Sequence, residues 1–295
     1  MKMRITQSML ASNSFNHISK SYDKMSSFQE QLSTGKKITR PSDDPVVAMK
    51  GMFYRTNLTE IEQFQRNLST AYQWIENSES GIEQGSEILQ RVRELVVQGS
   101  NGSNSKDDLQ SIAAEVAQLK EDLIGVANTK VAGNYIFNGT NITEPPIDIY
   151  SQLVNMNENE IKVEVSSGVQ MGVSANPIKA FGGENPTLFE TLDEILAGLQ
   201  SGNFSDGDEF LFKIDQHLES MNGERAELGA KYNRLELIEN RLGQQEVIAN
   251  RILSENEDVD LEEVIINMTV QESIHRASLA IGAKVIQPTL IDFLR

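Results

Sequence analysis

Between Ile61 and Val96, apolar or small residues recur at alternating steps of three and four: Ile61, Phe64, Leu68, Ala71, Ile75, Ser78, Ile82, Gly85, Leu89, Val92, Val96. Two files interleave. One is large and aliphatic (Ile61, Leu68, Ile75, Ile82, Leu89, Val96), and the other shrinks towards its middle (Phe64, Ala71, Ser78, Gly85, Val92). A mean repeat of 3.5 residues marks a helix that lies along another helix, and the small file predicts that a partner backbone comes close at mid-contact. A helix from Pro45 to Val97 spans about 80 Å at 1.5 Å per residue. Such a helix needs other long helices to cover its seam, from this chain or from neighbouring copies.

The same rhythm predicts the other elements. Residues 1–35 carry a diluted file, Ile5, Met9, Ile18, Tyr22, Met25 and Leu32, interrupted by Ser and Asn; helix propensity there is mediocre, so order is expected to depend on packing. Gly35 reads as a helix stop. In Ile38-Thr-Arg-Pro-Ser-Asp-Asp-Pro45, Pro41 forces Arg40 out of helix. Asp44 is a natural cap before Pro45 at the first helical position, with Asp43 beside it at the positive end of the helix dipole. After the turn at 99–105 a second seam runs Leu109, Ile112, Val116, Leu119, Leu123, Val126. A turn that short folds the helix back antiparallel on the first.

From 131 to 180 the period changes. Gly133-Asn-Tyr-Ile-Phe-Asn-Gly139 predicts a strand with turn ends. Ile161, Val163, Val165 and Val169, Met171, Val173 alternate about Ser166-Ser167-Gly168, predicting a β-hairpin. Residues 181–186 read as a loop. Leu188, Leu192, Ile195 and Leu199 predict a short amphipathic helix. A third long helix is expected from about Asp208 to Ser254, with the file Ile214, Leu218, Met221, Arg225, Leu228, Tyr232, Leu235, Ile238, Leu242, Ala249. A final helix carries Val264, Met268, Gln271, Ser278, Ile281 and Val285; Pro288 stops it before an apolar tip, Leu290, Ile291, Phe293 and Leu294. The expected fold is mainly α with a small β insert, built on long antiparallel helical rods. Three parts are expected: 1–40 with 255–295 as a terminal coiled coil, disordered in the monomer; 41–139 with 206–254 as a helical rod domain; and 140–205 as a small β-rich outer domain.

Composition narrows the function. Aromatics are 6% of the 295 residues and Cys is absent, which suits narrow helical seams and rules out thiolate metal sites and disulfides. A net charge of −17 argues against nucleic-acid partners. No apolar run is long enough to span a membrane, and the N-terminus lacks the pattern of an ordinary cleaved secretory signal. Charge is unevenly spread: residues 1–56 hold nine Lys/Arg against four Asp/Glu, and 254–295 hold three against eight. Either the two ends lie side by side as electrostatic complements, or these are ordinary solvated faces.

Three stretches resemble one family. Leu32-Ser-Thr-Gly-Lys-Lys-Ile-Thr-Arg-Pro-Ser-Asp-Asp-Pro45 resembles the signature after the first helix of bacterial flagellins and their relatives, and its Pro41–Pro45 form is closer to the hook–filament junction branch (hook-associated protein 3) than to filament flagellin. Gly133–Asn141 resembles the family's strand entering the outer domain. Ser278–Gln287 with Leu290–Leu294 resembles its C-terminal helix. The resemblance implies paired chain ends, a helical inner domain and outward β structure. It also implies export through the flagellar type III apparatus and assembly at the hook tip. The implied partners are flagellin, the first hook–filament junction protein, further copies in a ring, and an export chaperone near the C-terminus.

Candidate chemistry is sparse. His17, His217 and His275 are scattered without metal-ligand spacing. Thr34-Gly-Lys-Lys37 lacks the spacing of a phosphate loop. Asp43 and Asp44 as paired carboxylates are outweighed by their capping role, and triplets such as those at Asn57 and Asn138 carry no argument for glycosylation. No catalytic, cofactor or metal residue is assigned. The expected assembly interface comprises Ile5, Met9, Ile18, Tyr22, Met25, Leu32, Met268, Ile281, Val285, Leu290, Phe293 and Leu294, with Gly35, Pro41, Asp43, Asp44 and Pro45 forming the helix break. The expected function is a structural, non-enzymatic junction adaptor; the alternatives are filament flagellin and an intracellular helical signalling or chaperone module.

Overall fold

The computed structural model describes residues 7–101, 104–148, 156–182, 186–202, 204 and 207–286. Six α-helices dominate: α1 (Gln7–Thr34), α2 (Pro45–Gly99), α3 (Lys106–Ala127), α4 (Leu188–Ser201), α5 (Gly207–Glu257) and α6 (Leu261–Ile286). Two antiparallel two-stranded sheets lie between α3 and α4: β1 (Lys130–Val131) with β2 (Asn134–Tyr135), and β3 (Lys162–Ser166) with β4 (Val169–Gly172). The chain forms two compact units, Met1–Glu60 with Glu246–Arg295, and Ile61–Gln245.

The larger unit holds a four-helix core. The aliphatic file of α2 is buried from Ile61 to Val96. Arg91 reaches Glu115 on α3 at 2.7 Å, and Arg93 reaches Asp215 on α5 at 2.7 Å. Arg225 on α5 meets Glu83 at 3.1 Å, so α5 runs antiparallel to α2. α4 closes the bundle with Leu188, Phe189, Leu192, Ile195 and Leu199 buried. Lys120 on α3 bonds Asp193 at 2.5 Å and Lys213 on α5 bonds Glu194 at 2.8 Å. Two capping boxes start these helices, Ser105 with Asp108 on α3 and Thr187 with Glu190 on α4, each satisfying donors that a helix start leaves open.

At Gly85 in the small file of α2, and at Gly81 one turn before it, side chains approach rather than the partner backbone that the spacing predicts. A Cβ on Gly81 would lie 2.7 Å from the Phe137 ring, and one on Gly85 2.7 Å from Met221 and 2.8 Å from Phe181. Phe137 and Phe181 pack edge to face with ring centroids 4.8 Å apart. The strand expected over 133–139 is correspondingly short. A two-residue turn at Ala132 and Gly133, both with positive φ, pairs β1 with β2. The chain then leaves the ladder so that Ile136 and Phe137 enter the core. Gly139 (φ +49°) must stay bare, because a Cβ there would lie 2.2 Å from the Asn157 carbonyl oxygen. Asn138 is buried, with its amide donating to the Glu144 carbonyl and its oxygen accepting from the Asn157 amide.

The hairpin falls where the alternation predicts it, with Ser166 opposite Val169 and Gly168 at φ +70°. Part of the expected loop at 181–186 is instead a π-helical turn, Ile178–Gly182; 183–185 lie outside the described residues. Asn176 Oδ1 accepts from the Ile178 amide at 3.0 Å, and Ser220 Oγ on α5 donates to the Lys179 carbonyl at 2.8 Å. The Asn176 amide donates to Glu224 Oε1 at 2.7 Å. Glu224 is 1% exposed and takes the seam position expected for Arg225, while its Oε2 has no hydrogen-bond partner. Burial pushes its carboxyl above the ordinary range.

Two predictions follow from this packing. Gly81→Ala is expected to destabilise by about 1–3 kcal/mol through overpacking, whereas Gly125→Ala on α3, which meets nothing within 4 Å, gains about 1 kcal/mol of helix propensity; denaturant titration of both variants reads the opposite signs. For Glu224 the folded carboxyl holds its proton more tightly than the unfolded one, so ionisation above the ordinary carboxylate range costs stability. Glu224→Gln should therefore raise Tm at pH 7, by about 2–4 °C for each kcal/mol of cost removed. The gain should vanish as pH falls through that range.

Candidate assembly surface

In the smaller unit α1 and α6 pair antiparallel. Gln271 Nε2 donates to Ser21 Oγ at 2.8 Å, the Tyr22 and His275 rings are 6.2 Å apart, and a Cβ on Gly282 would lie 3.1 Å from Ile18. The three–four spacing through these contacts defines the seam. It is Ser14, Ile18, Ser21, Met25, Phe28 and Leu32 on α1, and Val264, Met268, Gln271, His275, Ser278 and Gly282 on α6. Half of these twelve positions are polar or glycine, so the seam is weak for its length. The Nδ1 of His275 is buried without a hydrogen-bond partner.

The two ends of this pair meet at a joint. α1 stops at Gly35, whose φ of +69° needs glycine. The Lys37 amide donates to the Glu257 carbonyl at 2.7 Å and the Val259 amide to the Gly35 carbonyl at 3.0 Å, so Lys36 and Asp258 form an antiparallel bridge. Glu257 is nearly buried and takes Arg55 at 2.6 Å and Lys36 at 3.2 Å. Burial works to raise its carboxyl, and the hydrogen bonds from Arg55 and Lys36 outweigh it, leaving Glu257 below the usual range. Gly51 makes room: a Cβ there would sit 2.5 Å from Glu257 Oε1.

The helix break is built as follows. Asp43 Oδ2 accepts from the Arg40 amide at 2.9 Å and from the Thr39 amide at 3.3 Å, and the first of these holds its carboxyl low. Asp44 Oδ1 accepts from the Val46 and Val47 amides at 2.9 and 3.2 Å, with Pro45 opening α2. Pro41 is exposed at the turn. Asp260 plays the same capping part for α6, accepting from Glu262 and Glu263 at 3.0 and 3.2 Å. Sequence reasoning missed Asp260, Lys36, Arg55 and Glu257; an Asp just ahead of Leu-Glu-Glu was the available signal for the first.

The expected interface residues separate into three groups. Ile18, Met25, Leu32 and Met268 are half-buried in the α1–α6 seam, a contact within the chain. Met9, Tyr22 and Ile281 are 55%, 60% and 62% exposed. Ile5, Leu290, Phe293, Leu294 and the Val285 side chain lie outside the described residues. The seam passes through His275 and Gly282, not Ile281, because the three–four step from Gln271 and Ser278 lands on them.

What remains uncovered is large. Among the described residues, sixteen of the twenty exposed large hydrophobic side chains belong to the smaller unit, and only Ala249 and Val264 of the buried apolar set do. α6 exposes apolar side chains on both flanks of its seam, among polar ones such as Glu262, Thr269 and Ser273. At ~100° per residue, Ile266, Val270, Ile274 and Ile281 form an exposed stripe on one flank of the seam, with Leu261, Ile265 and Leu279 on the other. A helix ordinarily buries its apolar stripe, yet α1 covers one side and both flanking stripes stay exposed. Val46, Met49, Met52 and Phe53 add an exposed apolar face at the start of α2. Among the described residues no cluster of metal-ligating side chains occurs, and no helix is long and apolar enough to cross a membrane.

Comparison with known proteins places these features. The bacterial flagellin N-terminal helical region matches residues 5–142, and the bacterial flagellin C-terminal helical region matches 211–294. The chain is 27% identical to the flagellar hook-associated protein 3 of Salmonella typhimurium, over 94% of this chain and 95% of that one. It is 29% identical to the flagellin of Bacillus subtilis over 96% of each. Among solved structures, FlgL of Bacillus cereus covers 68% of this chain and 99% of its own (TM-score 0.58, 22% identity), and the flagellar junction protein FlgL of Legionella pneumophila covers 70% and 99% (TM-score 0.59, 16% identity), both sharing the fold. With both helical regions matched along the chain, it belongs to the bacterial flagellin family.

Proposed function

We propose that this chain is a structural subunit of the bacterial flagellum that joins hook to filament, and that it works by geometry rather than catalysis. The observation that carries the reading is α6, which exposes Leu261, Ile265, Ile266, Val270, Ile274, Leu279 and Ile281 on the two flanks of the seam that α1 covers. Burying an Ile or Leu side chain contributes about 1.5–3 kcal/mol, so the exposed stripes give the terminal pair a strong reason to pack against neighbours. The near end-to-end likeness to hook-associated protein 3 supports the junction position. In this reading residues 1–40 with 255–295 do the assembling, 41–139 with 206–254 hold the subunit's shape, and 140–205 face outward. Met9, Tyr22 and Ile281 contact other subunits directly, and Ile5, Val285, Leu290, Phe293 and Leu294 extend that surface. Ile18, Met25, Leu32 and Met268 keep the pair together beneath it. Partners are further copies, flagellin and the first junction protein. Export proceeds unfolded, by the flagellar route, with a chaperone holding the apolar C-terminal region.

One observation favours a second reading: the Bacillus subtilis flagellin matches over the same length at similar identity. Deleting the gene separates the two. For a junction subunit the expected result is hooks without filaments and intact flagellin released into the medium. Hooks without filaments and no flagellin in the medium would make this chain the filament protein. Attached, working filaments would contradict both.

A further inference from the structure

Beside the joint of the smaller unit a cavity of about 210 Å³ opens, walled by Ile38, Pro41, Ala48 and Met52, with Arg40 and Arg55 in its polar lining. Arg55 is committed to Glu257 at 2.6 Å. Arg40 has no ion pair among the described residues; its neighbour Asp43 uses Oδ2 to hold the Thr39 and Arg40 amides. Val46, Met49 and Phe53 stand exposed on the same stretch of α2, 57%, 65% and 69%. Thr39 and Glu257 complete the polar lining, and the Arg40 charge also acts on Asp43. A cavity half apolar and half polar, with the Arg40 guanidinium outside any ion pair among the described residues, suits a short segment that puts a carboxylate between apolar side chains.

This chain contains such a segment, Leu290-Ile-Asp-Phe-Leu294. Its own cavity is out of reach. The cavity includes Glu257, just before α6 begins, whereas the segment follows the far end of α6. From Leu261 to Ile286 the helix rises about 38 Å at 1.5 Å per residue. The six residues from Ile286 to Asp292 extend at most ~21 Å. A contact within one subunit therefore falls short by well over a turn of helix, while a head-to-tail contact between subunits has no such limit.

We propose that the cavity beside the joint receives the 290–294 segment of a second copy of this chain, with Asp292 against Arg40 and its apolar neighbours inside. The inference rests on the assembly reading and adds to it a defined, directional contact between subunits.

The chain has no cysteine, so engineered pairs read cleanly. Full-length chains carrying Ala48→Cys and Phe293→Cys, differently tagged, are expressed together in cells lacking the native gene, and isolated flagella are oxidised. The expected product is a dimer containing both tags, formed only when both cysteines are present. It should be absent when Glu76→Cys, on an exposed position of α2 in the other unit, replaces Ala48→Cys. A second arm uses charge: Arg40→Glu and Asp292→Arg should each reduce attached filaments about tenfold, and the double exchange should restore them. Chains present in flagella without the mixed dimer, or a double exchange no better than either single, would overturn this contact and leave the assembly reading standing. Chains absent from flagella would overturn both.

Discussion

One imbalance governs this protein: a helix with apolar side chains on both flanks of its seam has a partner on a single side. α6 meets α1 through Val264, Met268 and Gly282, along a seam diluted by Gln271, His275 and Ser278. The isoleucines on its flanks have no cover. Uncovered apolar surface on this scale marks an interaction site. Burial of that surface against another molecule competes with the cost of association, about 4–15 kcal/mol. The weak seam fits this balance, since a strong one would lock the pair into a shape fixed before the neighbours arrive.

The two units divide the labour. In the larger one the aliphatic file of α2 is buried, with α5 running beside it and α3 against its C-terminal part, and the ring pair Phe137–Phe181 seats on Gly81 and Gly85. Even a costly feature, the buried carboxyl of Glu224, has a structural use: Oε1 fixes the Asn176 amide, and Asn176 in turn starts the π-helical turn that aims Phe181 at α2. In the smaller one, order is local and polar: a bridge between Lys36 and Asp258, ion pairs on Glu257, and caps at Asp44 and Asp260. Those contacts tie the ends of α1 and α5 to the starts of α2 and α6. They bury little, and leave the apolar side chains exposed.

The long helices were legible because a repeat stated many times is hard to misread; the seam of α2 is buried where the spacing places it. The cap at Asp44 was legible because its chemistry is local. Less visible were features decided by a distant partner. Size alone says that Gly81 and Gly85 admit something, and only the fold says that it is two rings. Glu224 displaced Arg225 from the seam because a backbone amide waits there. The strand at 133–139 was cut short because Ile136 and Phe137 are worth more in the core than in a ladder. In the terminal pair, hydrophobic spacing could not tell which apolar side faces α1 and which faces out, since both sides of α6 are apolar. That ambiguity is itself the mark of a helix meant to be surrounded.

The most direct test is amide hydrogen exchange on the dilute purified chain and on the chain within isolated flagella. The account predicts that residues 261–286 exchange orders of magnitude faster than 61–96 in the dilute chain and become comparably protected after assembly. Equal, strong protection of both segments in the dilute chain would contradict it.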